Sequence, residues 1–246
     1  MIEFFHQFLY VPIYNLLVFL VGIMPGGDIG LSVIVATLIV KIIIMPLSLA
    51  AVRTQKMMKI IEPKVKKIQE ELKDDKEKQA RELFAVYKKY KIKPLASFLT
   101  LLIQIPILIS LYWVFSTEIL PQADLSLLYS FVHLPASASP LFLGLFPVAA
   151  SSIALALIAG LSQLVQAYVA IPLPPAPSKD AAASMQAEFG RALALQARFI
   201  IPILIGVVAY TSGAIALYFI TSNIVMLLQE FIVRQGKLPE LAEEDR

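Results

Sequence analysis

The predicted fold class is an all-α polytopic membrane protein, with five transmembrane helices, an N-terminal interfacial helix and a cytoplasmic helical hairpin. Three observations predict it. Hydrophobic residues make up 58% of the 246-residue chain and the mean hydropathy is +0.76, whereas a soluble domain is about 45–50% apolar. Apolar stretches of about 20 residues recur, the length that crosses a bilayer. Charge is also unevenly distributed: 14 of the 21 Lys and Arg residues lie between Arg53 and Lys93 against seven acids, and none lies between Met1 and Val40.

The elements follow in order. Residues 1–30 hold a helix and an external turn. Glu3, Gln7, Tyr10 and Tyr14 recur at helical spacing, so one face is polar or aromatic and the other apolar. That pattern reads as an interfacial helix on the outer leaflet, kinked at Pro12, with a sixth span as the alternative. The stretch has neither the basic flank nor the cleavage site of a signal peptide. Residues 31–52 form the first span. The basic segment 53–93 belongs in the cytoplasm by the positive-inside rule, which makes the topology N-out, C-in. Met57, Ile61, Val65, Ile68 and Leu72, then Ala80, Leu83, Phe84, Tyr87 and Tyr90, form apolar stripes on either side of "KDDK". Two amphipathic helices pairing as an antiparallel hairpin are expected, with Pro63 kinking the first.

The second span is 94–115. An external loop, 116–142, carries Glu118 and Asp124 but no Lys or Arg. The third span is 143–170, and 171–197 is a cytoplasmic Pro-rich loop and helix. Residues 198–233 form a hairpin of the fourth and fifth spans about the uncharged turn "TSGA", and 234–246 is a cytoplasmic tail.

Composition excludes several functions. There is no cysteine, and His6 and His133 stand alone, so disulfide and thiolate chemistry are excluded and no metal site is expected. No phosphate-binding or dinucleotide-binding glycine loop occurs. Neither a cofactor nor an enzymatic activity is expected, nor is specific binding of nucleic acid.

The informative residue is Lys41, in the middle of the first span. A charge at bilayer depth is a functional-site hypothesis. Each span end is about 16 Å away at 1.5 Å per residue, and a lysine stem reaches only about 6 Å. No Asp or Glu lies within the five spans before Glu230, which disfavours the alternative of a structural intramembrane salt bridge. Thr37 and Ser48 share the helix face of Lys41 by spacing. Thr100 and Gln104 on the second span, Gln163 and Gln166 on the third and Asn223 on the fifth extend the polar set. A hydrated cavity or groove open to the cytoplasm, receiving a visiting acidic group at Lys41, is the expectation.

Three separated motifs resemble the YidC/Oxa/Alb family of membrane protein insertases. They are "LIVKIIIMPLSLAAVRTQKMMKIIEPKVKKIQEELKDDKEK", "KPLASFLTLLIQIPILISLYWVF" and "GAIALYFITSNIVMLLQEFIV". The resemblance covers about residues 1–235 and is to the short form, without a large external domain. It implies five helices around a hydrophilic groove closed on the outside. The family's groove cation, usually Arg, falls on Lys41, and its last-span aromatic, usually Trp, falls on Phe219. The ending "LPELAEEDR" is acidic where a ribosome-binding tail would be basic.

The resemblance implies an insertase or chaperone of the bacterial inner membrane. Its partners would be nascent membrane proteins and the lipid bilayer, and beside them the ribosome, a targeting receptor and the Sec channel. The basic hairpin, through Arg53, Lys56, Lys59, Lys64, Lys66, Lys67, Arg81, Lys88 and Lys89, would recruit the incoming chain. A folding and assembly chaperone without insertase activity, or a small-solute transporter, are the alternatives.

Overall fold

The computed structural model describes residues 6–93, 124–171 and 191–236, with the isolated positions 3, 102, 105–107, 109 and 110. The chain divides into two compact units, Met1–Ile42 with Ile105–Leu227 and Ile43–Gln104 with Leu228–Arg246. The fold is all-α and polytopic. Four described helices are long and apolar enough to cross a membrane: α1 (His6–Ile23), α6 (Ile153–Ala170), α7 (Arg191–Tyr210) and α8 (Gly213–Gln235). A fifth candidate is the pair α2 (Ile29–Ile43) and α3 (Met45–Ile60), taken as one broken span. Most of the expected second span, 94–115, lies outside the described residues.

In the first unit, the tyrosine face of α1 differs from the expectation. Tyr10 and Tyr14, assigned to a polar face, are buried and stack in series with His6 at centroid separations of 5.1 and 6.2 Å. Ile13, Leu17, Val18, Leu20 and Val21 are buried as well. A tyrosine is a large apolar ring with one polar tip, so a tyrosine stripe can face protein as readily as lipid headgroups. Pro12 is accommodated without loss of the helix, because a widened π-helical turn, His6–Tyr10, precedes it. Pro202 in α7 follows a similar turn, Gln196–Ile200. In each case the wider turn makes room where the proline ring would meet the carbonyl four residues back.

The expected first span, 31–52, is not continuous. It breaks at Ile44, two residues before Pro46, which lacks an N–H and crowds the Ile42 carbonyl. Beyond the break, the amides of Leu47 and Ser48 both donate to the Ile44 carbonyl, at 3.1 and 3.0 Å.

The expected third span, 143–170, is helical only from Ile153. Before it, β1 (Leu141–Phe142) and β2 (Phe146–Pro147) form an antiparallel hairpin. Pro147 has no amide to donate, and the Leu143–Gly144 turn has φ of 51° and 72°, so the backbone reverses there. Ser152 then caps α6, its hydroxyl accepting from the Leu155 amide at 3.4 Å.

Backbone bonds knit this hairpin to two helix ends. The Ser139 amide donates to Gly27 O at 2.8 Å, and the Ala214 amide and Ser212 hydroxyl donate to Val148 O at 2.8 and 3.0 Å. Helices α6 and α7 pack along a small-residue seam in which Gly160 and Gly206 approach closely. A methyl added at Gly160 would sit 3.4 Å from Pro202 O and 3.6 Å from Gly206 Cα.

In the second unit, α4 (Glu62–Glu71) and α5 (Lys76–Lys89) form the expected hairpin. Its core is Met57, Ile61, Ile68, Val86, Tyr90 and Ile92, with Val65, Leu72, Leu83 and Tyr87 packed against them. Two expected stripe members differ: Ala80 is exposed and Phe84 is 71% exposed, their inward places taken by Val86 and Ile92. Asp75 caps α5, accepting from the Lys78 amide at 2.9 Å. The base is closed by Thr54, whose hydroxyl accepts from the Lys93 amide at 3.2 Å.

Candidate functional site

Lys41 lies in the last turn of α2, three residues before the break, and is 6% exposed. The break matters electrostatically. Ending a helix here leaves carbonyl groups whose partial negative charge favours a cation in the last turn. An unbroken helix would offer Lys41 no such terminus. Thr37, one turn earlier, is also buried, but its hydroxyl donates to Val33 O at 2.7 Å. Ser48 belongs to the second unit, where its hydroxyl donates to Met45 O at 3.1 Å. Both hydroxyls are thus engaged by their own helices, a common arrangement for small polar residues in apolar helices.

The structure brings α6 and α8 together through polar groups. Asn223, 2% exposed, donates to the Ser162 hydroxyl at 3.0 Å, and Ser162 donates to Ala159 O at 2.8 Å. Gln163 donates to Gln166 Oε1 on the same helix at 3.2 Å, and Gln166 is buried. Beside Asn223, Thr221 and Ser222 are buried. Phe219 is buried and meets Tyr218 edge to face at 5.4 Å. Thr100 and Gln104 lie outside the described residues.

The basic residues of the hairpin divide by environment. Arg53, Lys59, Lys67, Lys88 and Lys89 are exposed and Lys64 is half-buried. Lys66 pairs with Glu62 at 2.7 Å and Arg81 with Glu77 at 2.5 Å, both one turn apart on the surface. Lys56 is different. Its ammonium lies 3.2 Å from Glu230 Oε1 and donates to Glu230 O at 3.3 Å, while Arg234 approaches the same carboxylate at 3.6 Å.

Sequence reasoning missed several structural polar residues. Asp28 is buried, and its two carboxylate oxygens accept from the Leu31 amide at 2.9 Å and the Leu143 amide at 2.7 Å. An Asp immediately before an apolar helical run is a cap signal that could have found it. Asn15 is buried in α1, donating to Val11 O and Leu127 O and accepting from the Tyr129 amide at 2.7 Å. A lone amide inside an apolar helix was the available sign. Arg198 caps the end of α6, donating to Tyr168 O at 2.9 Å with its guanidinium 4.0 Å from the Tyr168 ring centre. Asp124 accepts from both the Ser126 amide and hydroxyl, which holds its carboxyl below the usual range.

The pattern of the 60Kd inner membrane protein family matches residues 20–240. The chain is 32% identical over 208 residues to the membrane protein insertase YidC of Francisella philomiragia subsp. philomiragia, covering 84% of this chain and 32% of that relative. It is 31% identical over 208 residues to the membrane protein insertase YidC of Francisella tularensis subsp. novicida, with the same coverage. The chain spans about a third of the length of these curated relatives. With a match over nearly its whole length, the chain belongs to the 60Kd inner membrane protein family, the YidC/Oxa/Alb group its motifs resemble.

Proposed function

We propose that this protein is a membrane protein insertase of the bacterial inner membrane, moving short polar tails of nascent membrane proteins through a hydrated groove and releasing their apolar helices into the bilayer. The observation that carries this reading is the buried cation Lys41 at the end of a helix broken within an apolar run. The polar contact between α6 and α8 supports it, since Asn223 and Ser162 meet where lipid-facing helices need no polar group. The basic segment 53–93 supports an N-out, C-in orientation.

No nucleotide is required in this mechanism. A 20-residue apolar helix entering the bilayer at about −0.3 to −0.6 kcal/mol per residue releases about 6–12 kcal/mol. The barrier is the passage of the polar tail across hydrocarbon, and a wet groove shortens the dry path. Lys41 would attract an acidic tail residue transiently, and the exposed lysines of α4 and α5 would meet the incoming chain, its ribosome or targeting receptor, or a Sec channel. A lysine ammonium is a compact point charge, where the arginine usual in the family offers a planar fork.

The test is reconstitution in liposomes with paired single-span substrates that differ only in tail acids. Lys41→Arg is expected to keep activity, and Lys41→Ala to slow the acidic-tailed substrate at least several-fold more than the neutral one. An equal effect on both substrates would sink the role given to Lys41. Solute flux without helix insertion would mark a transporter, and improved folding without insertion would mark a chaperone.

A further inference from the structure

Residues 125–152 contain no Asp, Glu, Lys or Arg in 28 positions, where average composition would place about seven. A water-exposed connection of this length usually carries charge. This one also displays large apolar side chains: Leu125, Phe131, Leu143 and Leu145 are 64, 70, 58 and 73% exposed.

The β1–β2 hairpin concentrates the effect. Its tip is Leu143-Gly144-Leu145, with Leu143 at φ 51°, a left-handed conformation that a leucine rarely adopts. The surroundings hold it there. Asp28 accepts from the Leu143 amide at 2.7 Å, and the Leu145 amide donates to Phe142 O at 3.0 Å. Phe142 fills the space left by the missing side chain of Gly30, where an added methyl would lie 2.5 Å from Phe142 Cβ. A strained turn is thus fixed on the first turn of α2, and its two leucines are turned away from protein. Strain that persists because its surroundings over-determine it is a sign of function.

We propose that this hairpin seats in the lipid leaflet at this end of the helices, with Leu143 and Leu145 at the boundary between headgroups and acyl chains. Three observations identify lipid as the occupant. The segment lacks charge throughout. The tip is bonded to the first turn of an apolar helix, which sets its depth at the membrane edge. Six residues beyond Pro147 the chain enters α6, whose Ile153, Leu157 and Leu161 form an exposed apolar stripe at four-residue spacing, the pattern of a lipid-facing helix side. Apolar tips seated at this level bind through buried apolar area, as interfacial anchors do.

The absence of cysteine allows a direct test. Leu145→Cys and, separately, Leu143→Cys are labelled with a polarity-sensitive fluorophore in the full chain and reconstituted in phosphatidylcholine vesicles. Ser137→Cys, an exposed position outside the hairpin, is the reference. The 143 and 145 probes are expected to emit to the blue of the 137 probe. They should be quenched several-fold more by a nitroxide near the top of the acyl chain than by aqueous iodide. Iodide quenching equal to that at Ser137 would overturn the proposal in favour of a solvated loop. Shielding from both quenchers would overturn it in favour of a protein partner or a second copy.

Discussion

The hairpin of α4 and α5 and the connection 124–152 are both outside the apolar helix runs, yet they are ordered by opposite means. The α4–α5 hairpin hides an apolar stripe, Met57, Ile61, Ile68, Val86 and Tyr90, and turns its charges outward. The 124–152 connection shows its apolar side chains and is held from beneath by polar ones, with Asn15 gripping Leu127 and Tyr129 and Asp28 gripping Leu143. Each solvent supplies a different ordering force. Water drives an apolar stripe together. A hairpin tip lying against lipid gains nothing from that force and depends on satisfying backbone groups that lipid cannot.

This contrast can be broken most forcefully at Asp28. Asp28→Ala leaves the Leu31 and Leu143 amides without their charged acceptor, and bonds to charged groups contribute about 1.5–3 kcal/mol each. The expected loss is about 3–5 kcal/mol, read from denaturation in detergent, with a cysteine at Phe142 reacting faster with a water-soluble thiol reagent. A melting point unchanged by the substitution would remove the polar clamp from the account. Ile61→Ala attacks the other mechanism. Truncating this fully buried side chain is expected to cost about 3 kcal/mol. The loss should appear as faster proteolysis and amide exchange confined to 53–93, and exchange that stayed slow there would argue against an apolar stripe as the organising force. Arg81→Ala removes only a surface ion pair of the α4–α5 hairpin. The Arg81–Glu77 pair is fully on the surface, and such pairs contribute little; no measurable change in melting temperature is expected.

The same contrast explains what could be read in the chain. The α4–α5 hairpin was legible because amphipathic helices write their burial into a 3.6-residue period. The miss at Phe84 and Val86 is a shift of two positions along a seam whose curvature periodicity does not encode. Spans were legible as apolar runs, but the start of α6 was not, because Leu141–Val148 is as apolar as the helix that follows. Only Pro147 and the Leu143–Gly144–Leu145 turn mark the difference. Lys41 stood out as a cation within an apolar run, and its burial in the last turn of a helix adds the break at Ile44 that Pro46 announces. Asn223 was named for its polarity. Its partner Ser162 was not, since nothing in a linear sequence pairs residues 61 positions apart. Asp28 and Asn15 act on distant backbone amides, and that reach is written only in three dimensions.

The Gly160–Gly206 seam between α6 and α7 has a thermal consequence. The large heat capacity of unfolding comes from wetting apolar surface. When two helices part inside a bilayer, the surfaces they uncover meet acyl chains rather than water, so that contribution is missing. Their cohesion comes from close packing, which has no reason to fade in the cold. The water-facing core around Ile61 does weaken on cooling. A chilled cell would therefore loosen the α4–α5 hairpin while the glycine seam stays tight, and this one chain carries two different temperature laws.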